Sequence, residues 1–160
     1  MGEKPRLSQL AVRVLDRLMG TAGRQRLSIL IFHRVLESED YLRPGDPTAV
    51  EFNWQMELLA RCCCPMSLAE ALKLMDADDL PDRAVCVTFD VGYADNAEVA
   101  LPILKKWNIP ATVFVSTGFL DGGRMWNDTV LEAVRVSNYD CIDLSTLGLG
   151  LFSLGDQVSR

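Results

Sequence analysis

Two kinds of hydrophobic pattern alternate along this chain of 160 residues. Nearly continuous apolar runs occupy residues 27–32, 84–89 and 111–115, and such runs are typical of strands buried in a parallel sheet. Between them, apolar residues recur at helical spacing, as at Phe52, Met56 and Leu59. Alternation of strands with helices predicts βα units and an α/β fold with parallel strands and flanking helices.

The two ends of the chain differ from this central part. Apolar residues at positions 7, 10, 11, 14, 15 and 18 predict an N-terminal amphipathic helix, which would pack on the domain or a partner, or lie on a membrane surface. After Ser137 the periodicity fades. We therefore divide the chain into a helix and lead-in at 1–26, an α/β domain at 27–136, and a truncated, disordered tail at 137–160.

Composition and charge exclude several classes of protein. Apolar residues make up 49% of the chain and charged residues 24%, as in ordinary globular proteins. The net charge of −6 argues against a nucleic-acid partner, and no apolar run approaches the roughly 18 residues of a membrane span. The charged N-terminus is unlike a signal peptide, so we expect a cytoplasmic protein.

Candidate chemistry lies where the predicted strands end, because sites in parallel α/β folds form at the carboxyl ends of strands. His33 follows the first apolar run, and Asp90 follows the second. Each could instead be structural, Asp90 as a helix cap and His33 as a satisfied core histidine. An aspartyl phosphatase would need a second acid two residues after Asp90, and Gly92 stands there.

Three adjacent cysteines form a second candidate site. Cys62, Cys63 and Cys64 could bind a soft metal, but cysteine is often buried, which favours thiols in a short strand.

The segment around Asp90 resembles the first motif of the polysaccharide deacetylases, also described as NodB-like domains or carbohydrate esterase family four. Residues 88–93 read T-F-D-V-G-Y, where the family pattern is T-F-D-D-G-Y. Further similar segments follow in the family's order and extend the resemblance over residues 27–136; they are residues 31–35, 101–105, 109–115 and 118–128.

The resemblance implies a distorted (β/α) barrel that removes N-acetyl groups from amino-sugar glycans. A divalent metal, often zinc, would be held by one Asp and two His, and the first Asp of the motif would act as a general base on water. Asp90 and His33 are then the catalytic candidates, and Tyr93 is the substrate-binding candidate. The metal-ligand position is Val91, and no histidine follows His33, so we expect no metal at the family site.

Three hypotheses of function follow. The first is part of a metal-dependent deacetylase, inactive as written because the metal ligands are missing. The second is a non-catalytic fragment that binds a glycan or another subunit. The third is an unrelated α/β interaction module. The elements predicted here make up about half a barrel, whose exposed apolar surface we expect to cause self-association.

Overall fold

A computed structural model describes residues 26–154, and the helix predicted over residues 7–18 lies outside this part of the chain. The fold is mixed α/β. Its strands are β1 (Ser28–Phe32), β2 (Cys64–Pro65), β3 (Ala84–Val91), β4 (Ala111–Val115), β5 (Cys141–Asp143) and β6 (Leu151–Ser153). Its α-helices are α1 (Ala49–Cys62), α2 (Leu68–Asp76), α3 (Leu101–Trp107), which continues a π-helical turn at Asn96–Ala100, and α4 (Trp126–Arg135).

Strand β3 is the centre of a four-stranded parallel sheet. Val85 pairs with Ser28 of β1 on one side and with Pro65 of β2 on the other. Phe89 pairs with β1 and, on the side opposite it, with β4. Strands β2 and β4 therefore follow one another along the same edge of β3. The parallel sheet with intervening helices is confirmed, and residues 26–154 do not close it into a barrel.

The core covers both faces of β3, as the apolar run predicts. On one face, Val87 and Phe89 pack with Phe52 and Met56 of α1, and these four side chains are almost completely buried. On the other face, Cys86 packs in a second cluster with Met66, Ala71, Leu80 and Ala84. Its central position in the sheet explains why β3 has no polar face.

The prediction that β1 and β4 are buried is wrong. Ile31 in β1 is 61% exposed, and Phe114 in β4 is 50% exposed. Each strand has β3 on one side, and among residues 26–154 no strand pairs with its other side. A run of apolar residues indicates that a strand can be buried. Whether it is buried depends on the strands and helices that pack against it, which the run itself does not specify.

Helix starts agree with the sequence in part. Ser67 caps α2, since its side chain accepts a hydrogen bond from the Glu70 N–H. Thr48 and Glu51 form a complete capping box at α1. Asp95, which precedes the π-helical turn, makes no capping hydrogen bond with its side chain. The cysteine run differs from the predicted single strand, because Cys62 ends α1 and Cys64 begins β2.

Beyond α4, strands β5 and β6 form an antiparallel pair. Both strands lie in the segment after Ser137, where the sequence periodicity fades. No helix within residues 26–154 is long and apolar enough to cross a membrane.

Candidate functional site

The carboxyl ends of β1 and β3 bring the two catalytic candidates to one edge of the sheet. The last residue pair between these strands is Phe32 with Phe89, so His33 and Asp90 are the next residues of two adjacent strands. Asp90 is half-buried and pairs with Phe114 on its other side. Both residues therefore lie at the same edge of the sheet, at the ends of neighbouring strands.

The backbone directly after Asp90 is unusual. Val91 has a φ of 79° and Gly92 a φ of 83°, so two consecutive residues lie in the left-handed region. Glycine adopts this region readily, whereas a β-branched residue there is a strained outlier. The strand ladder nevertheless continues through this point, because the Val91 carbonyl accepts a hydrogen bond from the Ser116 N–H at 3.0 Å. The surrounding pairing holds Val91 in a conformation that its side chain disfavours.

We expect Val91→Asn to raise the free energy of unfolding by about 1 kcal/mol, because asparagine tolerates the left-handed region better than valine does. Urea denaturation measures the change. The control is Val113→Asn, on the neighbouring strand and without a positive φ, where the loss of β propensity should be neutral or destabilising. Equal effects of the two substitutions would show that Val91 stores no strain.

Arg34 connects the two strand ends. Its Nε donates to Asp95 Oδ2 at 2.7 Å, and its guanidinium carbon lies 4.5 Å from the centroid of the Tyr93 ring. The buried Asp95 therefore forms an ion pair with Arg34. The Tyr93 hydroxyl donates a hydrogen bond to Asp128 Oδ2 at 2.9 Å. Burial is the largest cause of the raised pKa of Tyr93, and this hydrogen bond is the second. Tyr93 is thus held from two sides.

Ion pairs hold α4 against the loop that follows β1. Arg43 in this loop pairs with Asp128 of α4. Asp40 accepts a hydrogen bond from Arg135 Nη2 at 2.5 Å, and this contact is the main cause of the lowered pKa of Asp40. The loop and α4 therefore form a polar wall beside the strand ends.

Asn96 is a site residue that sequence reasoning missed. Its side-chain amide is buried, and Nδ2 donates at 3.1 Å to the His33 carbonyl and at 3.1 Å to Asp95 Oδ1. Its Oδ1 is buried with no hydrogen-bond partner among residues 26–154. Asn96 thereby fixes the start of the π-helical turn to the end of β1. The only sequence signal was its place in a polar segment just after the Asp90 motif.

Two cavities border this edge. His33 lines one of about 360 Å³, together with Asp46 and Glu51, between β1, the following loop and α1. Tyr93 lines a groove of about 720 Å³ between β4 and α3. The sequence-predicted residues share a sheet edge, but His33 and Tyr93 border different cavities.

The residues at this edge do not fit the metal that the resemblance implies. Val91, at the expected ligand position, carries no lone pair that could coordinate a cation. Within residues 26–154, no group of three or more His, Cys, Asp or Glu side chains is arranged to hold a metal ion. We therefore derive no chemical step through a metal here.

Comparison with known proteins gives this edge a context. A sequence model described as polysaccharide deacetylase matches residues 77–138, which include β3, the Asp90 motif and β4. The chain is also 30% identical over 91 residues to the putative polysaccharide deacetylase YxkH of Bacillus subtilis (strain 168). Residues 77–138 are thus similar to polysaccharide deacetylases. The match covers 56% of this chain and 32% of YxkH, so the chain spans about a third of that deacetylase's length.

Two solved structures are also similar to this chain. IcaB from Ammonifex degensii is 35% identical with a TM-score of 0.52, over 62% of this chain and 41% of that one. The Streptococcus pyogenes deacetylase PplD, solved in complex with acetate, is 26% identical with a TM-score of 0.53, over 59% of this chain and 44% of that one. The deacetylase likeness thus extends to the arrangement of the elements.

Proposed function

We propose that this chain carries part of a polysaccharide deacetylase domain whose substrates are N-acetylated amino-sugar glycans. The sheet would be one part of a distorted (β/α) barrel, with its site at the edge that bears His33 and Asp90. The family match around the Asp90 motif supports this assignment.

We further propose that these 160 residues do not perform metal-dependent deacetylation on their own. One observation carries this proposal: a valine, in a left-handed backbone conformation, stands beside Asp90 where the resemblance implies a metal-binding aspartate. The two histidines that the resemblance also implies are not among these residues, because His33 is the single histidine.

In this proposal Asp90 and His33 are the residues that would contact the reacting acetamide. The Asp90 carboxylate can accept a hydrogen bond from a sugar hydroxyl, an amide N–H or a water molecule. Tyr93, whose orientation is set by Arg34 and Asp128, would contact the glycan from the adjacent groove between β4 and α3, beyond the cavity that His33 lines.

We expect Val91→Asp to leave acetate release from N-acetylglucosamine oligomers, with Zn²⁺ added, at the uncatalysed rate. One restored carboxylate supplies one ligand where a catalytic zinc site typically has three from the protein. An enzyme-coupled acetate assay measures the result, with Val91→Asn as the matched substitution. Zinc-dependent release by Val91→Asp, with none by Val91→Asn, would overturn the proposed inactivity and leave the family assignment intact.

A subunit-interaction role is the second candidate, and the exposed sheet favours it. Ile29 and Ile31 of β1 share one face of the sheet with Phe114 of β4, and all three are 46–61% exposed. An exposed apolar face next to unpaired strand edges is typical of surfaces that associate. A monomer mass at all concentrations in sedimentation velocity would contradict this second role.

A further inference from the structure

The groove between β4 and α3, which we call the β4 groove, is an apolar surface on the helix side of the sheet. Val113 and Val115 line it and lie on the same sheet face as Phe89. Unlike Phe89, which is 1% exposed, they are 45% and 48% exposed, and Leu101 on the α3 side is 41% exposed. The groove continues the main core outward but lacks a covering element within residues 26–154.

The groove has the dimensions of a short helix. Its strand side, β4, has five residues and is about 16 Å long. The amphipathic pattern of residues 7–18 covers 12 positions, which as an α-helix would be about 18 Å long. Six apolar side chains of this segment would fall on one helical face; they are Leu7, Leu10, Ala11, Val14, Leu15 and Leu18.

The chain enters the described fold at the start of β1, on the sheet face opposite Val113 and Val115. Leu27 packs against the core cluster that contains Met66, and Met66 also lines the β4 groove. Strand β3 alone separates β1 from β4, which places them about 10 Å apart. Residues 19–26 connect the amphipathic segment to Leu27, and eight extended residues can span up to about 26–29 Å, enough to pass around the end of the sheet to the groove.

Charge favours the same placement. Residues 1–25 contain five Lys or Arg and two Asp or Glu, which gives a net charge of +3, whereas residues 26–154 contain ten basic and 19 acidic residues and carry −9. The groove itself is lined by one acidic and one basic side chain, Glu70 and Lys105, so the attraction acts between the segment and the domain as a whole. A basic segment is attracted to an acidic domain, and this attraction adds to the burial of the apolar face.

We propose that residues 7–18 form a helix that lies in the β4 groove of the same chain and covers Val113 and Val115. The N-terminal segment would then be a structural part of the domain, which replaces solvent on the outer face of an edge strand. This role is independent of the proposed deacetylase ancestry.

The test introduces one charge into each face of the segment in the full chain. Val14 is at the centre of the apolar face, and Gln9 is on the opposite side. Hydrogen–deuterium exchange of residues 101–107 and 111–115 is measured for Val14→Asp, Gln9→Asp and the unmodified chain. We expect Val14→Asp to accelerate exchange there by about tenfold, because local opening becomes easier, and Gln9→Asp to leave it unchanged.

The remaining outcomes contradict the proposal, and two of them identify another partner. Unchanged exchange in Val14→Asp means that the segment does not cover the groove. A dimer in sedimentation velocity that Val14→Asp converts to monomer means that the groove holds the segment of a second copy. Binding to vesicles of phosphatidylcholine and phosphatidylglycerol that Val14→Asp abolishes, with no change in groove exchange, means that the segment binds lipid instead.

Discussion

Replacing Phe52 by alanine is expected to lower the free energy of unfolding by about 3–5 kcal/mol, the usual loss for a large aromatic removed from a core. The Phe52 side chain is 0% exposed and meets Phe32 edge-on with a ring-centroid distance of 5.1 Å. Its ring centroid lies 5.9 Å from that of Phe89. The substitution therefore leaves a cavity at the point where α1 joins β1 and β3.

The matched control for Phe52→Ala is Trp54→Ala, two positions further along the same helix. Trp54 is 41% exposed, so its removal takes away less buried area and leaves no enclosed cavity. Urea denaturation of both variants measures the difference. A loss for Trp54→Ala equal to that for Phe52→Ala would show that the aromatic cluster is not the centre of this core.

Replacing Gly92 by alanine is expected to lower the free energy of unfolding by about 2 kcal/mol, for two physical reasons. The φ of 83° is unfavourable for a residue with a Cβ, at a cost of roughly 1–2 kcal/mol. A Cβ at this position would also lie 3.2 Å from Val115 Cγ2 and 3.3 Å from Val115 Cγ1. The turn after Asp90 therefore requires glycine both for its backbone angle and for its contact with β4.

Two further variants separate these reasons. Gly45→Ala is the control, because a Cβ there meets no atom within 4 Å and its φ is not positive; it should be neutral or slightly stabilising. In a Val115→Ala background, Gly92→Ala should cost less, since the contact is relieved and the backbone cost remains. Thermal or urea unfolding of the four variants measures both effects. If Gly92→Ala lowered the free energy of unfolding no more than Gly45→Ala does, the positive φ of Gly92 and its close contact with Val115 would be contradicted.

The sequence predicts the positions of the strands better than it predicts which of them are buried. Residues 84–89 form a strand whose two edges are paired with β1, β2 and β4 and whose two faces are covered by the core clusters, and its apolar composition reflects this. Residues 27–32 are also mostly apolar but form an edge strand, in which Ile31 is 61% exposed. Composition sets the cost of exposing a strand, while the pairing partners decide whether it is exposed.

The candidate site shows the same division. Placing Asp90 and His33 at one sheet edge needs only the parallel pairing of β1 with β3, which local patterns predict. The Arg34–Asp95 ion pair and the Tyr93–Asp128 hydrogen bond join residues 61 and 35 positions apart. Such pairs depend on how loops and helices pack, and a single sequence carries no local signal for them.

The central position of β3 has a consequence for synthesis on the ribosome. Within the four-stranded sheet each of the other strands pairs with β3. The pairing partner of Ser28 in β1 is Val85, which is synthesised 57 residues later. At translation rates of 5–20 residues per second, this delay is about 3–11 s. During that time the run Ser28–Phe32 has left the ribosome without its partner strand. The nascent chain therefore exposes an apolar segment of the kind that chaperones bind, and the sheet forms only after β3 has emerged.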